Sequence, residues 1–271
     1  MSLSEQLKFS HCENNMKSKE LSILIYSCKR NSDMWEIYLK LFKKYWNDCR
    51  YKLILLTDFI DKSVDTKDFD DIVELDSTWY EMLMAGLEKA ATPYVMLFMD
   101  DYLLRDKVDN EDIEKYLSYA KKYNCANIRF QKSDMLKPGI YEEDNQFDFY
   151  KPGTAYSFST QAGIWDVSFL KKNIRPEWSA WDFERIGSVE VKDFKQPLLG
   201  TREYDFPYIE GVRKGKWMRS GYELCKKEGI EIDEKKRPVM SGIEMWWIEF
   251  KGKILKMNPT MIQKIQNAIG K

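Results

Sequence analysis

Histidine and cysteine, which build many catalytic and metal sites, are scarce in this sequence. Its 271 residues include one histidine, His11, in a polar stretch near the N-terminus. A histidine-rich zinc site or a histidine-based catalytic triad is therefore not expected. The five cysteines are odd in number, widely scattered and without a CxxC pair, which indicates reduced thiols in a cytosolic protein.

Long apolar runs and an excess of either charge are also missing. No stretch approaches the roughly 18 apolar residues of a membrane span, and the N-terminus lacks the apolar region of a signal peptide. Lys and Arg total 43 against 44 Asp and Glu, a net charge of -1 that argues against nucleic acid as the main partner. We therefore expect a cytoplasmic globular protein, with residues 1–19 as a flexible arm.

An apolar run that ends on two carboxylates stands out in the N-terminal half. Residues 94–99 are apolar or aromatic, and Asp100 and Asp101 follow them. Such a run predicts a strand buried on both faces, and ligands gather outside the carboxyl ends of such strands in α/β sheets. Two carboxylates there suit Mg²⁺ or Mn²⁺. An acid pair can equally serve only to solubilise the end of a strand.

Strands and helices alternate in the first 131 residues. Besides residues 94–99, strands are predicted at 21–28, 52–58, 72–75 and 126–130, and helices at 35–46, 79–90 and 110–123. This alternation predicts right-handed crossovers and a mainly parallel sheet.

The second half is less regular. Residues 132–156 contain two Pro-Gly pairs and are predicted as a turn-rich loop. We predict a strand at 157–165, helices at 167–172 and 220–227, a helix capped by Ser179, a strand pair formed by 243–250 and 254–257, and a helix at 260–268.

Several motifs together resemble bacterial glycosyltransferases of the GT-A fold, in particular family-2-like enzymes of lipopolysaccharide and capsule biosynthesis. The resemblance is carried by YSCKR at residues 26–30, by TD at 57–58, and by the stretch from Trp79 to Tyr102, which ends in the acid pair and an aromatic. QAGIW at 161–165, WxxE from Trp181 to Glu184, and GVRKGKW at 211–217 extend it over about residues 20–240.

The resemblance implies an α/β fold with a mainly parallel sheet flanked by helices, followed by an irregular acceptor portion. Residues 20–131 would form the nucleotide-sugar-binding half, 132–240 the acceptor-binding half, and 241–271 a C-terminal extension. The implied activity is transfer of a sugar, with inversion, from a UDP- or GDP-linked donor to a glycan or lipid-linked acceptor. Peripheral association with the cytoplasmic face of the inner membrane is compatible with it.

For the donor, the resemblance implies a metal at the acid pair. The sequence has Asp100-Asp101 where the wider fold has Asp-x-Asp. We therefore favour Asp101 as the direct ligand of Mn²⁺ or Mg²⁺. Asp100 is expected to point toward the ribose or a metal-bound water. The other expected donor-binding residues are Ser27, Arg30, Asp58, Trp79, Arg213 and Lys216. Arg213 and Lys216 can equally be a solvated basic turn, Arg30 a surface cation and Asp58 a turn residue.

For the acceptor, a carboxylate must take a proton from a hydroxyl group. Glu184, beside Trp181, is the favoured general base, and Asp182 is the alternative. Both acids can also serve only a helix N-terminus, where the helix dipole favours carboxylates. Trp165 and Trp181 are the expected acceptor-binding residues.

Two other functions compete with glycosyl transfer. One is a catalytically silent sugar-binding or nucleotide-binding protein of the same fold, because nine tryptophans suit sugar stacking in either case. The other is a sugar-1-phosphate nucleotidyltransferase, which is disfavoured because no glycine-rich phosphate loop follows the first strand.

Overall fold

The computed structural model describes residues 17–132 and 136–257. These residues form two compact units. Among the described residues, the first unit contains 17–132 and 138–208, and the second contains 136–137 and 209–257.

A nine-stranded sheet forms the centre of the first unit, in the order β3-β2-β1-β4-β9-β6-β10-β8-β7. Its strands are β1 (Leu21–Tyr26), β2 (Lys52–Thr57), β3 (Asp71–Glu74), β4 (Tyr94–Met99), β6 (Asn127–Arg129), β7 (Gly139–Ile140), β8 (Phe147–Phe149), β9 (Gly163–Asp166) and β10 (Leu198–Thr201), while β5 (Tyr102–Leu104) lies outside it. β9 is antiparallel to β4 and β6, and β8 is antiparallel to β7 and β10. All other strands run in one direction, which confirms the predicted mainly parallel α/β sheet.

Helices flank this sheet. They are α1 (Asp33–Tyr45), α2 (Trp79–Ala90), α3 (Asn110–Lys122), α4 (Val167–Asn173), α5 (Ala180–Asp182) and α6 (Ser188–Glu190), and a π-helical turn (Phe183–Gly187) joins the last two. Thr78 and Glu81 form a capping box at the start of α2. This reciprocal bonding of two orphan backbone N–H groups explains why α2 begins at the predicted residue.

The central strands are buried on both faces because their side chains alternate between two apolar layers. Ile23, Leu55 and Met96 belong to a core cluster with Trp35 and other residues of α1 and α3. On the opposite face, α2 packs closely enough that a Cβ at Gly86 would lie 2.7 Å from the side chain of Leu56. The continuous apolar runs of the sequence follow from this two-sided burial.

The second unit is smaller. It contains most of β11 (Tyr208–Glu210), the hairpin of β12 (Val212–Arg213) and β13 (Lys216–Trp217), and the helices α7 (Arg219–Lys227) and α8 (Gly242–Met257). Lys214 and Gly215, at the hairpin turn, both have positive φ, as a type I′ turn requires. Trp217 and Cys225 are buried within this unit.

Several elements differ from the prediction. A strand was predicted at 157–165, but only its last residues, from Gly163, are in a strand, which is β9. The strand β10 was not predicted. Residues 243–257 form one helix instead of a strand pair. Ile243, Trp246, Trp247 and Phe250 are exposed at helical spacing along it, so their high β propensity was misleading. The helix predicted at 260–268 lies outside the described residues.

The division into a nucleotide-sugar-binding half at 20–131, an acceptor-binding half at 132–240 and a C-terminal extension stays a prediction. β7, β8, β9 and β10 all come after residue 131 and lie in the same sheet as β1 and β4. The four cysteines in the described residues are free, as expected. None of the helices in the described ranges has the length and apolar character needed to cross a bilayer.

Candidate functional site

The sheet order reverses between β1 and β4. β2 and β3 follow β1 on one side, and β4 returns to its other side. In open α/β sheets the crevice outside the carboxyl ends at such a reversal is the usual ligand site. Ser27, directly after β1, and Asp100, directly after β4, lie at this point.

Asp100 is held between the two strands by hydrogen bonds. Its carboxylate is buried and accepts from the hydroxyl of Ser27 and from Nδ2 of Asn31 at 3.2 Å. Ser27 Oγ in turn accepts from Nε1 of Trp35 at 2.7 Å. Because both oxygens of Asp100 have protein partners, this residue fixes the acid pair in place, and the half-buried Asp101 is the more accessible carboxylate.

Replacing Ser27 by alanine should therefore destabilise the protein. The substitution removes a hydrogen bond to a buried carboxylate and leaves the indole N–H of Trp35 without its acceptor, so we expect a loss of about 2–4 kcal/mol in the free energy of unfolding. Urea unfolding followed by tryptophan fluorescence measures it. Ser63→Ala, at an exposed loop residue bonded to Asp61, is the matched control. A Ser27→Ala protein as stable as this control would contradict the network.

The loops after β1 and β2 are joined to each other. Asp58 Oδ1 accepts from the backbone N–H of Lys29 at 2.6 Å, and the Lys29 ammonium lies 4.3 Å from the ring centre of Phe59. Arg30 is exposed beside them. Trp79 is nearly buried, packs against Phe183 with its ring tilted, and lines a small apolar cavity below this edge.

Glu184 lies in the π-helical turn and points at the loop that precedes β9. Its Oε1 accepts from the backbone N–H of Thr160 at 2.6 Å, from Thr160 Oγ1 at 2.8 Å and from Ser159 Oγ at 3.4 Å. All three contacts go to one oxygen. π-helical turns occur often at functional sites, and this one brings a carboxylate to the carboxyl edge of the sheet.

Arg129, at the end of β6, holds the other side of this loop. Its Nη2 donates to the carbonyl of Tyr156 at 3.1 Å, and its guanidinium lies over the ring of Tyr150 at 4.5 Å. Burial lowers the pKa of Arg129, while the nearby Tyr150 and Glu184 oppose that shift. β9 lies so close to β6 that a Cβ at Gly163 would be 2.6 Å from the carbonyl oxygen of Ile128.

A neutral cluster of Gln131, Gln161 and Tyr208 completes this edge. The hydroxyl of Tyr208 is hydrogen-bonded to both glutamine side chains, at 2.6 Å in the case of Gln131. The Tyr208 ring lies 4.8 Å from that of Tyr102, which follows the acid pair. Sequence reasoning missed the cluster because Gln131 and Tyr208 are 77 positions apart, with no local pattern to connect them.

The other expected site residues have different surroundings. Trp165 is completely buried among Phe158, Phe169 and Phe183, so it offers no surface to an acceptor. Trp181, in contrast, is 71% exposed. Asp182 forms a capping box with Ser179, accepting from its backbone N–H at 3.0 Å. These bonds match the structural alternative for Asp182.

The basic residues of the GVRKGKW motif lie in the second unit. Arg213 is paired with Glu210, and Lys216 Nζ lies at 2.5 Å from Glu244 Oε1. These ion pairs match the description of a basic surface turn. A role in donor binding stays a prediction for both.

The described residues contain no group of three or more His, Cys, Asp or Glu side chains that could hold a metal ion by themselves. The acid pair nevertheless fits a divalent cation of the kind that binds through one or two carboxylates and completes its shell with substrate phosphates and water. Asp101 would be the direct ligand, with Asp100 held behind it by Ser27 and Asn31.

No protein-family model and no curated protein sequence matches the chain. Among solved structures, TarS from S. aureus matches with 11% identity and a TM-score of 0.42, over 67% of this chain and 60% of that one. The mannosyltransferase PcManGT from Pyrobaculum calidifontis, in complex with GDP-Man and Mn²⁺, matches with 9% identity and a TM-score of 0.48, over 74% of this chain and 59% of that one. The bifunctional IspDF from Campylobacter jejuni matches with 14% identity and a TM-score of 0.36, over 59% of this chain and 44% of that one. This chain thus spans less than two thirds of the length of each of these three proteins.

Proposed function

We propose that this protein is a glycosyltransferase that moves a sugar from a UDP- or GDP-linked donor to a glycan or lipid-linked acceptor. The observation that carries the proposal is the acid pair at the reversal of strand order, where Ser27 binds Asp100 across the gap between β1 and β4. This is the position where open α/β sheets bind nucleotides. From the resemblance in the motifs, we further propose that the transfer inverts the configuration of the sugar. The same resemblance suggests a bacterial enzyme of surface polysaccharide synthesis that acts at the cytoplasmic face of the membrane.

The acid pair would serve the departure of a diphosphate through a bound cation. As the sugar leaves, negative charge grows on the leaving group, and a bound Mn²⁺ or Mg²⁺ supplies electrostatic stabilisation there. Asp101 would hold that ion. Asp100, whose oxygens already accept from Ser27 and Asn31, keeps Asp101 in place.

Glu184 is the proposed general base. Its Oε1 is held by Thr160, so Oε2 is the oxygen available to accept the proton of an acceptor hydroxyl. Trp181, three residues earlier and largely exposed, provides an aromatic face on which an acceptor sugar can stack.

Binding of nucleoside diphosphates tests the proposal first. UDP or GDP at about 100 times its dissociation constant should stabilise the folded protein by about 2.7 kcal/mol and raise its melting temperature. The rise should be larger with Mn²⁺ than with EDTA. No shift with any nucleoside diphosphate, with or without Mn²⁺, would contradict the proposed function.

A second candidate is a silent binding protein of the same fold. The three hydrogen bonds to Glu184 Oε1 favour this second candidate, because a carboxylate with a purely structural role would accept the same bonds. Slow hydrolysis of a bound nucleotide-sugar in the presence of Mn²⁺ separates the two: a transferase releases nucleoside diphosphate, whereas a silent protein binds the sugar nucleotide and leaves it intact.

A further inference from the structure

The neutral cluster lies beside the acid pair and at the same edge of the sheet. Tyr102 directly follows Asp101 and packs against Tyr208 with its ring tilted. Gln131 comes two residues after the end of β6, and Gln161 comes two residues before the start of β9. Since β9 pairs with both β4 and β6, the cluster flanks the crevice outside the end of β4.

The hydrogen-bonding capacity of the cluster is only partly used. A phenol has one proton, so Tyr208 can donate to one glutamine only and must accept from the NH₂ group of the other. Each amide then keeps spare capacity of both kinds: the glutamine that accepts has its whole NH₂ group left, and the one that donates has its oxygen and a second N–H left. In the described part of the chain, no other hydrogen bond is found for either side-chain amide, and both residues are half-buried rather than freely solvated.

The chemistry of these spare groups selects a class of ligand. Phosphate and carboxylate groups are bound by cations and by charge-assisted hydrogen bonds, and the cluster bonds through neutral groups. An aliphatic chain would leave the amides unpaired, which is costly at a half-buried position. A pair of neighbouring hydroxyl groups both donates and accepts, which matches the two amides.

We propose that Gln131 and Gln161, oriented by Tyr208, bind hydroxyl groups of the sugar in the nucleotide-sugar donor. The inference rests on the proposed function, because the sugar is placed there by its diphosphate. That diphosphate would be held at Asp101, and Tyr102 connects the acid pair directly to the cluster. The two amides therefore act on affinity for the sugar and on the choice of sugar, and not on the nucleoside diphosphate.

Calorimetry on the full chain with Mn²⁺ tests this inference. The probes are UDP, GDP, UDP-glucose, UDP-N-acetylglucosamine and GDP-mannose, and the variants are Gln131→Ala, Gln161→Ala and Tyr208→Phe. A neutral hydrogen bond contributes a factor of about 3 to 10 in affinity. We expect each alanine variant to lose about that factor for the preferred nucleotide-sugar and to bind the matching nucleoside diphosphate within about twofold of wild type. Gln196→Ala, before β10, is the control.

The outcomes separate the inference from the proposed function. Equal losses for the nucleotide-sugar and for the diphosphate, or no loss for either, would overturn the sugar subsite while leaving nucleotide binding in place. A wild-type protein that binds no nucleoside diphosphate would overturn the proposed function, and the inference with it. Tyr208→Phe keeps the ring packed on Tyr102, so retained folding with weaker sugar binding in this variant supports a specific role for its hydroxyl.

Discussion

Asp101→Ala should abolish the Mn²⁺-dependent part of nucleoside diphosphate binding. Loss of a supporting residue around a metal site already costs about 10- to 100-fold in metal affinity, so loss of the direct ligand should cost at least about 100-fold. The fold should be retained, because Asp101 is half-buried, the backbone ladder joins β4 to β1, and the side chains of Ser27 and Asn31 bond to Asp100. Calorimetric titration with Mn²⁺ and with EDTA measures the effect.

The matched control is Asp106→Asn. Asp106 is an exposed acid close by in sequence that accepts from the backbone N–H of Lys107 at 2.8 Å. It should bind the diphosphate as the wild type does, with the same response to Mn²⁺. If Asp101→Ala and Asp106→Asn both keep the full Mn²⁺ response, the metal is not held at the acid pair.

Glu184→Gln should lower the rate of sugar transfer or donor hydrolysis by roughly 10² to 10⁴, because an amide does not accept the proton of the attacking hydroxyl. Donor affinity should stay nearly unchanged. The amide oxygen can still accept from Thr160, so the loop before β9 keeps its anchor. Release of nucleoside diphosphate from the bound donor gives the rate.

Asp182→Asn is the natural comparison, since Asp182 lies two residues earlier and only closes the capping box with Ser179. It should cost about 1 kcal/mol or less in stability and leave turnover unchanged. An active Glu184→Gln protein together with an inactive but folded Asp182→Asn protein would transfer the catalytic role to Asp182.

Local signals in the sequence were sufficient for the elements around the acid pair. The apolar run at 94–99 and the capping residues of α2 depend on neighbours a few positions away, so β4 and α2 appear where they were predicted. The same holds for the helix start at Ser179, which caps α5 as predicted. The position of Asp100 and Asp101 at the edge of the sheet follows from the end of β4 alone.

Contacts between distant residues were not predictable in this way. Thr160 and Glu184 are 24 positions apart, and Ser27 and Asp100 are 73 apart. Trp165 was expected at the acceptor because tryptophan suits sugar stacking, but residues of that type fill cores equally well. α8 was mistaken for a strand pair because aromatic and β-branched residues fit both a strand and an amphipathic helix.

The place of β9 in the sheet has a consequence for the order of folding. β1 to β4 can pair as soon as about the first hundred residues exist, but β6 is joined to them only through β9, which begins at Gly163. Until then the β4 edge is an open template for pairing with another chain. During synthesis, the acid pair should thus be in place long before the loop at Thr160 and Gln161 joins the same edge of the sheet. Truncation before residue 163 should yield chains that aggregate along this edge.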